Sequence, residues 1–595
     1  MKVPWLLLLP ISWAKGSRTR GGPGSQQVLA QQDAQLSEPS TPTPYDHVDF
    51  PHHDQAPEVP ARPSRRVNPL NLALNALEDM QTHFFELWVG TWPTSIDWTG
   101  AVLNTYVSTL MRSLSKATAF GNRDLAIGGS INCEDDTDKV FKDRFTHALA
   151  YCSGESDFGK ADPEYEFNKY FTHIIAYYFG ENAFAIRNEA YDDMLWVVLG
   201  WLETVRFVVD HALDNAPPLS PSWHGSQWVG TFAHRARVFY DIASRGWDTK
   251  LCGGGMTWNP NLAPYKNAIT NQLFITSSIN MYFYFPGDNN SFPFIAHNSG
   301  SEYSSEHFPH DSKYLKAAAD AYSWLKDSNM TNHLGLYVDG FHIRGWNRNG
   351  STGTGKCDVR NEVVYTYNQG VILSGLRKLW EATGDTMYLE DGYDLIHNVI
   401  FATGWNLDKS DVFSNPPSDQ WSGLGRNGIM EELCDHTGSC DQNGQTFKGI
   451  YFLHLAGFCE PLPSKRLIPG KSNAASRELA HRHRSECMSY RPWVDRNAKA
   501  ALSTRDEERR FGMWWGQKFN PADADIVLPE NATDYRNNAT LLEAPSGRVW
   551  QLCQLILKRK SHVMVQISWA LKAEAISTIE GGVVLSRPRV AVCLF

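Results

Sequence analysis

The sequence predicts an all-α protein assembled from helical hairpins. Three observations carry this. About a dozen segments place apolar residues at helical spacing, strand-like alternation is nearly absent, and the loops between segments are rich in Gly, Asn, Pro and Trp. Stacked hairpins either run on as an open solenoid or close on themselves into an (α/α)6 toroid with its loops around one cleft, and periodicity does not choose between them. At 595 residues the chain has length for several domains, but a toroid uses most of such a length as one unit.

Taken in order, Met1-Lys2, an apolar run to Trp13, and small residues at Ser12 and Ala14 read as a signal peptide over residues 1–14. Residues 15–66 are dominated by Pro, Gly, Ser, Gln and scattered charge. They cannot bury enough apolar surface to offset their ordering entropy, so a disordered linker is expected. Helical periodicity starts at Val67, with one helix through Leu70, Leu74, Leu77, Met80 and Phe84 and a second over 98–114. Residues 119–163 read as a polar insertion. Its acidic run, 134–138, lacks the glycine turn and terminal glutamate of a calcium loop, so no metal site is expected. Further helices are expected over 165–179, 192–211, 230–244, 265–285, 312–327, 363–383, 386–403, 445–458 and 490–502. A helical domain is expected over 67–518. A C-terminal extension, 519–595, follows, with helical spacing over 548–557 and strand-like alternation from Lys558.

The helix starting at Tyr191-Asp192-Asp193 stands out. Residues 194–202 are too continuously apolar for a surface helix and too few to span a membrane, so this helix is buried and its first turn opens on a cavity. Acidic residues are ordinary in a first turn, where backbone N–H groups and the helix dipole favour negative charge. One aspartate would serve that purpose. The second, with Tyr191, Trp196 and Trp201 nearby, points to glycoside chemistry: two carboxyl groups about 5–5.5 Å apart suit the retaining route, and flat aromatic faces stack on sugars.

Three other helix starts combine aromatic and amide side chains. Cys252-Gly253-Gly254-Gly255-Met256-Thr257-Trp258 leads into Tyr265-Lys266-Asn267-Ala268-Ile269-Thr270-Asn271; Tyr365-Thr366-Tyr367-Asn368-Gln369-Gly370 and Gln445-Thr446-Phe447-Lys448-Gly449 repeat the theme. With the aspartate pair they are expected to line one pocket, although each also reads as an ordinary glycine-rich turn before a helix. Gly350 to Lys356 nearly matches a phosphate-binding loop. Cys357 stands where that loop needs a hydroxyl and no apolar strand precedes it, so no nucleotide is expected. There is no Gly-x-Ser-x-Gly elbow and no His-Glu-x-x-His helix, and His481 and His483 read as solvated in a basic loop.

A formal charge of −10 without a basic block gives no reason to expect nucleic-acid binding. The 21 Trp, 23 Tyr and 29 Phe exceed what a core alone demands and suit a carbohydrate partner. Ten cysteines and sequons at Asn289, Asn329, Asn349, Asn531 and Asn538 fit an oxidising, glycosylating route, hence a secreted or cell-wall location. Cys434 and Cys440 enclose five residues including Gly438, a loop that a disulfide could close. Arg587 and Arg589 make the last residues a poor lipid-anchor signal.

Together the motifs quoted above, in their order and spacing over roughly residues 67–518, resemble glycoside hydrolase family 76 of the fungal secreted type. The resemblance implies the closed toroid, an endo-acting retaining hydrolysis of α-1,6-linked mannan without cofactor or metal, and a monomer. It implies Asp192 as nucleophile and Asp193 as general acid/base, with Tyr191, Trp258, Tyr265, Lys266, Asn267, Thr270, Asn271, Tyr367, Asn368, Gln369, Phe447 and Lys448 on the substrate. Relatives in that family act as cell-wall transglycosylases and typically carry a lipid anchor. A toroid that binds glycan without turnover is the third expectation.

Overall fold

The computed structural model describes residues 69–126, 163–215, 223–290, 307–347, 350–414, 420–505 and 510–517. The signal peptide, the linker, the acidic run, the extension from 519, and Asn349, Asn531 and Asn538 lie outside these residues. Asn289 and Asn329 lie within them and are exposed.

Twelve helices of 13 or more residues are described: α1 (Pro69–His83), α2 (Asp97–Ala126), α3 (Pro163–Gly180), α4 (Tyr191–Asn215), α5 (Val229–Ala243), α6 (Ala268–Tyr284), α7 (Ser312–Asp327), α8 (Tyr367–Thr383), α9 (Met387–Ala402), α10 (Gln442–Phe458), α11 (Arg477–Ser489) and α12 (Arg491–Ser503). Helices α2, α4, α6, α8 and α10 pack on one another in that order, and α10 packs back on α2. From outside, α3 lies against α2, α5 against α4, α7 against α6 and also α8, and α9 against α8. This is the α/α toroid, with α2, α4, α6, α8 and α10 internal.

Composition follows position. Internal α6 is buried from Ala268 through Ile279 without a break, whereas external α7 buries only Tyr314, Ala318, Ala321, Tyr322 and Leu325, one stripe at helical spacing. Asp311 caps α7 by accepting from Lys313 N, and Asp441 caps α10 by accepting from Gly444 N. Gly384, at φ 79°, ends α8 in the left-handed conformation that glycine takes most easily.

The internal helices run in one direction. At one end Ile96 N donates to Gln442 Oε1 at 2.6 Å and Trp98 Nε1 to Asn443 Oδ1 at 3.0 Å, joining the starts of α2 and α10. Toward the other end Arg112 of α2 reaches both Glu203 of α4 and Glu460 just after α10, each at 2.7 Å, and Arg206 reaches Glu460 at 2.9 Å. These guanidinium partners offset the burial of both carboxyls and hold them below the usual range.

Several boundaries differ from the sequence reading. Helix α2 continues past residue 114 through Ala126, kept against α4 by Ser115 Oγ and His211 Nδ1 at 2.8 Å. Helices α6 and α8 begin at 268 and 367 rather than 265 and 363. The residues before α6 form a strand, β1 (Tyr265–Asn267), that pairs antiparallel with β2 (Gly340–His342), which pairs with β3 (Val359–Asn361). Three-residue strands are too short to show a period. Residues 477–489 are helix α11, not a basic loop, and His483 is buried with its Nδ1 2.8 Å from Tyr393 Oη; His481 is exposed.

Three disulfides join described residues: Cys252–Cys357, Cys434–Cys440 and Cys459–Cys487. Cys357, which breaks the phosphate-loop pattern, is therefore a tether, and Cys252 N donates to Gly355 O at 2.8 Å beside it.

Candidate active site

The starts of α2, α4, α6, α8 and α10 meet at one end of the toroid. Positive helix ends converge there, the favourable place for carboxylates. Asp192 and Asp193 occupy the first turn of α4. Asp192 is buried; its Oδ1 accepts Asp193 N at 3.1 Å and its Oδ2 accepts Trp258 Nε1 at 3.1 Å. Asp193 is half-buried, and its Oδ2 accepts Ala190 N at 3.2 Å, capping the helix.

Both acids resist ionisation. Burial pushes Asp192 up to about 7, against the two hydrogen bonds that favour its anion. Asp193 is raised well above the ordinary range, by burial first and then by the charge of Asp192, with Glu189 and Asp97 adding to it. Two neighbours of like charge thus differ: one receives a donor from a second segment, the other from the residue just before its own helix.

Aromatic rings surround the pair. Tyr191 N donates to Trp258 O at 2.8 Å, and the Tyr191 ring lies over Gly246, where a Cβ would come within 2.6 Å of it. Trp98 of α2 stacks on Trp196 of α4 at 5.8 Å and lies 6.5 Å from Phe447. Phe447 of α10 stacks on half-buried Tyr367 of α8 at 3.8 Å with the planes 10° apart, and Tyr365 meets Phe447 edge-on. Trp98 escaped the sequence reading, although Asp97-Trp98-Thr99 is one more helix start with an aromatic beside polar groups.

A third carboxylate was also missed. Asp339, just before β2, accepts Tyr265 Oη at 2.6 Å and Asn361 Nδ2 at 3.1 Å on its Oδ2, and its charge makes Asp192 harder to ionise. His342 stacks on Tyr265 at 4.2 Å behind it, and Asn368 lies beside Asp339. Nothing in Val338-Asp339-Gly340 marks it; only the pairing of β1 with β2 brings it to α4.

Several residues expected on the substrate face the protein instead. Lys266 is fully buried and its Nζ donates to Gly255 O at 2.6 Å, burial lowering its pKa to about 8. Asn271 holds the same loop, accepting from Met256 N at 2.7 Å and donating to Asn267 O at 2.8 Å. Gln369 bonds Tyr337 N and O and Tyr365 O. Lys448 pairs with Asp435 at 2.6 Å. Lys266 lies on β1 and Asn271, Gln369 and Lys448 on the internal helices α6, α8 and α10, all buried, and each is bonded to a loop of the protein. Asn267 and Thr270 are buried as well. Among the described residues no three His, Cys, Asp or Glu are arranged to hold a metal ion.

Residues 150–298 and 306–523 match the family described as Glycosyl hydrolase family 76. The chain belongs to that family. As a family 76 member it is similar to the mannan endo-1,6-alpha-mannosidase DCW1 of Candida glabrata, 23% identical over 47% of this chain and 49% of the relative. It is similar also to the mannan endo-1,6-alpha-mannosidase DFG5 of Saccharomyces cerevisiae, 25% identical over 42% of this chain and 43% of that one. The family 76 chain therefore spans less than half the length of either curated relative. Among solved structures it is similar to the GH76A alpha-1,6-mannanase of Salegentibacter sp. HEL1_6, with TM-score 0.43 and 16% identity over 79% of this chain and 97% of that one.

Proposed function

We propose that this family 76 protein is a retaining glycoside hydrolase that cleaves α-1,6-mannosidic bonds within mannan. The observation that carries the reading is the unequal environment of Asp192 and Asp193. Asp192, with donors from Trp258 and from the backbone of Asp193, is the better anion and attacks the anomeric carbon. Asp193, raised by burial and by that anion, keeps its proton and delivers it to the departing glycosidic oxygen. It then takes a proton from water as the water releases the sugar from Asp192. The names of the curated relatives support mannan as the polymer.

Secretion to the cell wall or medium is the location proposed with it, supported by three disulfides and by exposed sequon asparagines at 289 and 329. No described helix is long and apolar enough to cross a membrane.

Incubation with unbranched α-1,6-mannan, followed by chromatography of the products, tests the proposal. Shorter oligomers are the expected result. Redistribution to longer chains would make a sugar hydroxyl, not water, the acceptor of the same intermediate, and a polymer bound but unaltered would overturn the enzymatic reading.

A further inference from the structure

The segment between α9 and α10 ends in a small buried unit that the chemistry above does not use. Asp435, inside the Cys434–Cys440 loop, accepts Lys448 Nζ at 2.6 Å and Glu432 N at 2.8 Å, and both charged side chains of the ion pair are shut off from solvent. Glu432 is buried too; its Oε1 accepts Thr366 N at 3.0 Å and the Thr366 hydroxyl. Thr366 precedes α8 and makes no cap of its own, so Glu432 supplies from another segment the acceptor that the helix start needs. The loop is fastened to α10 as well. Gln445 Nε2 donates to Cys440 O at 3.1 Å, and Gly444 packs so closely that an added Cβ would lie 3.3 Å from either sulfur.

Neither feature is an efficient source of stability. A buried ion pair roughly cancels its own desolvation, and a disulfide across so short a loop removes little chain entropy. Their placement is specific, however. One end grips α8 one residue before Tyr367, and the other grips α10 one residue after Phe447, the two rings that stack at 3.8 Å.

We infer that Glu432, Asp435 and Lys448, closed by the Cys434–Cys440 bond, are positioning residues that set Tyr367 against Phe447 and so fix the affinity of this aromatic wall for sugar. They touch neither acid and act through the two rings. This rests on the reading of the wall as a sugar-binding face.

The test compares Glu432→Leu, Glu432→Gln and the double variant Cys434→Ser/Cys440→Ser in two ways: kinetics on linear α-1,6-mannooligosaccharides, and sugar-free crystal structures. Glu432→Leu and the serine pair should raise KM about tenfold while leaving kcat within about twofold, since misplaced binding groups and intact acids separate in this way. Glu432→Gln, whose amide oxygen still accepts from Thr366, should keep the wild-type KM. Unstacked rings in the crystals of the first two would accompany the effect. Rings still stacked in both overturn the inference whatever the substrate is, and unstacked rings with an unchanged KM overturn the link to affinity. Wild-type protein that neither binds nor cuts the oligosaccharides would instead sink the functional reading, leaving the rings to judge the clamp. Should Glu432→Leu fail to fold, the serine pair, which keeps every charge, decides alone.

Discussion

Trp258 donates its indole N–H to Oδ2 of Asp192 across 3.1 Å, linking the loop before α6 to the first turn of α4. The bond favours the carboxylate, so its loss must make Asp192 harder to ionise. In Trp258→Phe the acid limb of kcat/KM, which reports the group that has to be ionised in the free enzyme, should move to higher pH. A pH–rate profile on linear α-1,6-mannan checks this, and an unmoved limb would detach Asp192 from it.

Asp339 acts in the opposite sense. Its negative charge holds Asp192 up, so Asp339→Asn should move the same limb to lower pH. The two profiles, measured side by side, separate electrostatics from general damage, because damage would lower both without shifting them apart.

The aspartates themselves should differ in rescue. Asp192→Asn and Asp193→Asn are each expected to cost about a thousandfold or more in kcat with the fold retained. Azide or an activated leaving group should restore turnover to Asp193→Asn, which lacks only the proton donor, whereas an activated leaving group should not replace a missing nucleophile in Asp192→Asn. Rescue of Asp192→Asn by the leaving group would reverse the roles.

Lys266 gives a prediction about stability. Burial lowers its folded pKa to about 8, below the ordinary lysine value of 10.5, so between these limits the unfolded chain holds a proton that the folded chain has released. Stability contributed by this residue must therefore rise as pH increases from about 8 toward 10.5. Relative to Lys266→Met, the wild type should gain in melting temperature over that window, a difference that cancels the other titrating groups.

Breaking the network at the opposite end should cost stability alone. Glu203→Leu leaves the Arg112 guanidinium without its α4 partner, and about 3 kcal/mol of destabilisation is expected, seen in urea titration with kcat unchanged.

Much of the ring was legible because its internal helices are apolar all round: the run from Met194 to Leu202 could only be buried, and it is. The same property concealed what the polar residues do. On α6, Thr270, Asn271 and Gln272 are as inaccessible as Ile269 and Leu273, so a polar residue near a helix start says little about whether it meets ligand or loop. Asp339 was hidden for another reason: its place beside Asp192 comes from strand pairing between distant segments, which no local pattern encodes. Helix α11 was lost because its solvated Arg and His face dominates, while the contact that buries His483 comes from Tyr393, 90 residues earlier.

The Cys252–Cys357 bond spans 105 positions and encloses α6, α7 and the exposed turn at 351–354. A protease that clips that turn would produce two polypeptides still joined by sulfur. Such nicked protein would run as a single intact species on a non-reducing gel and fall apart only when thiol is added. Purity of this protein therefore has to be judged under reducing conditions, since the unreduced band would conceal the cleavage.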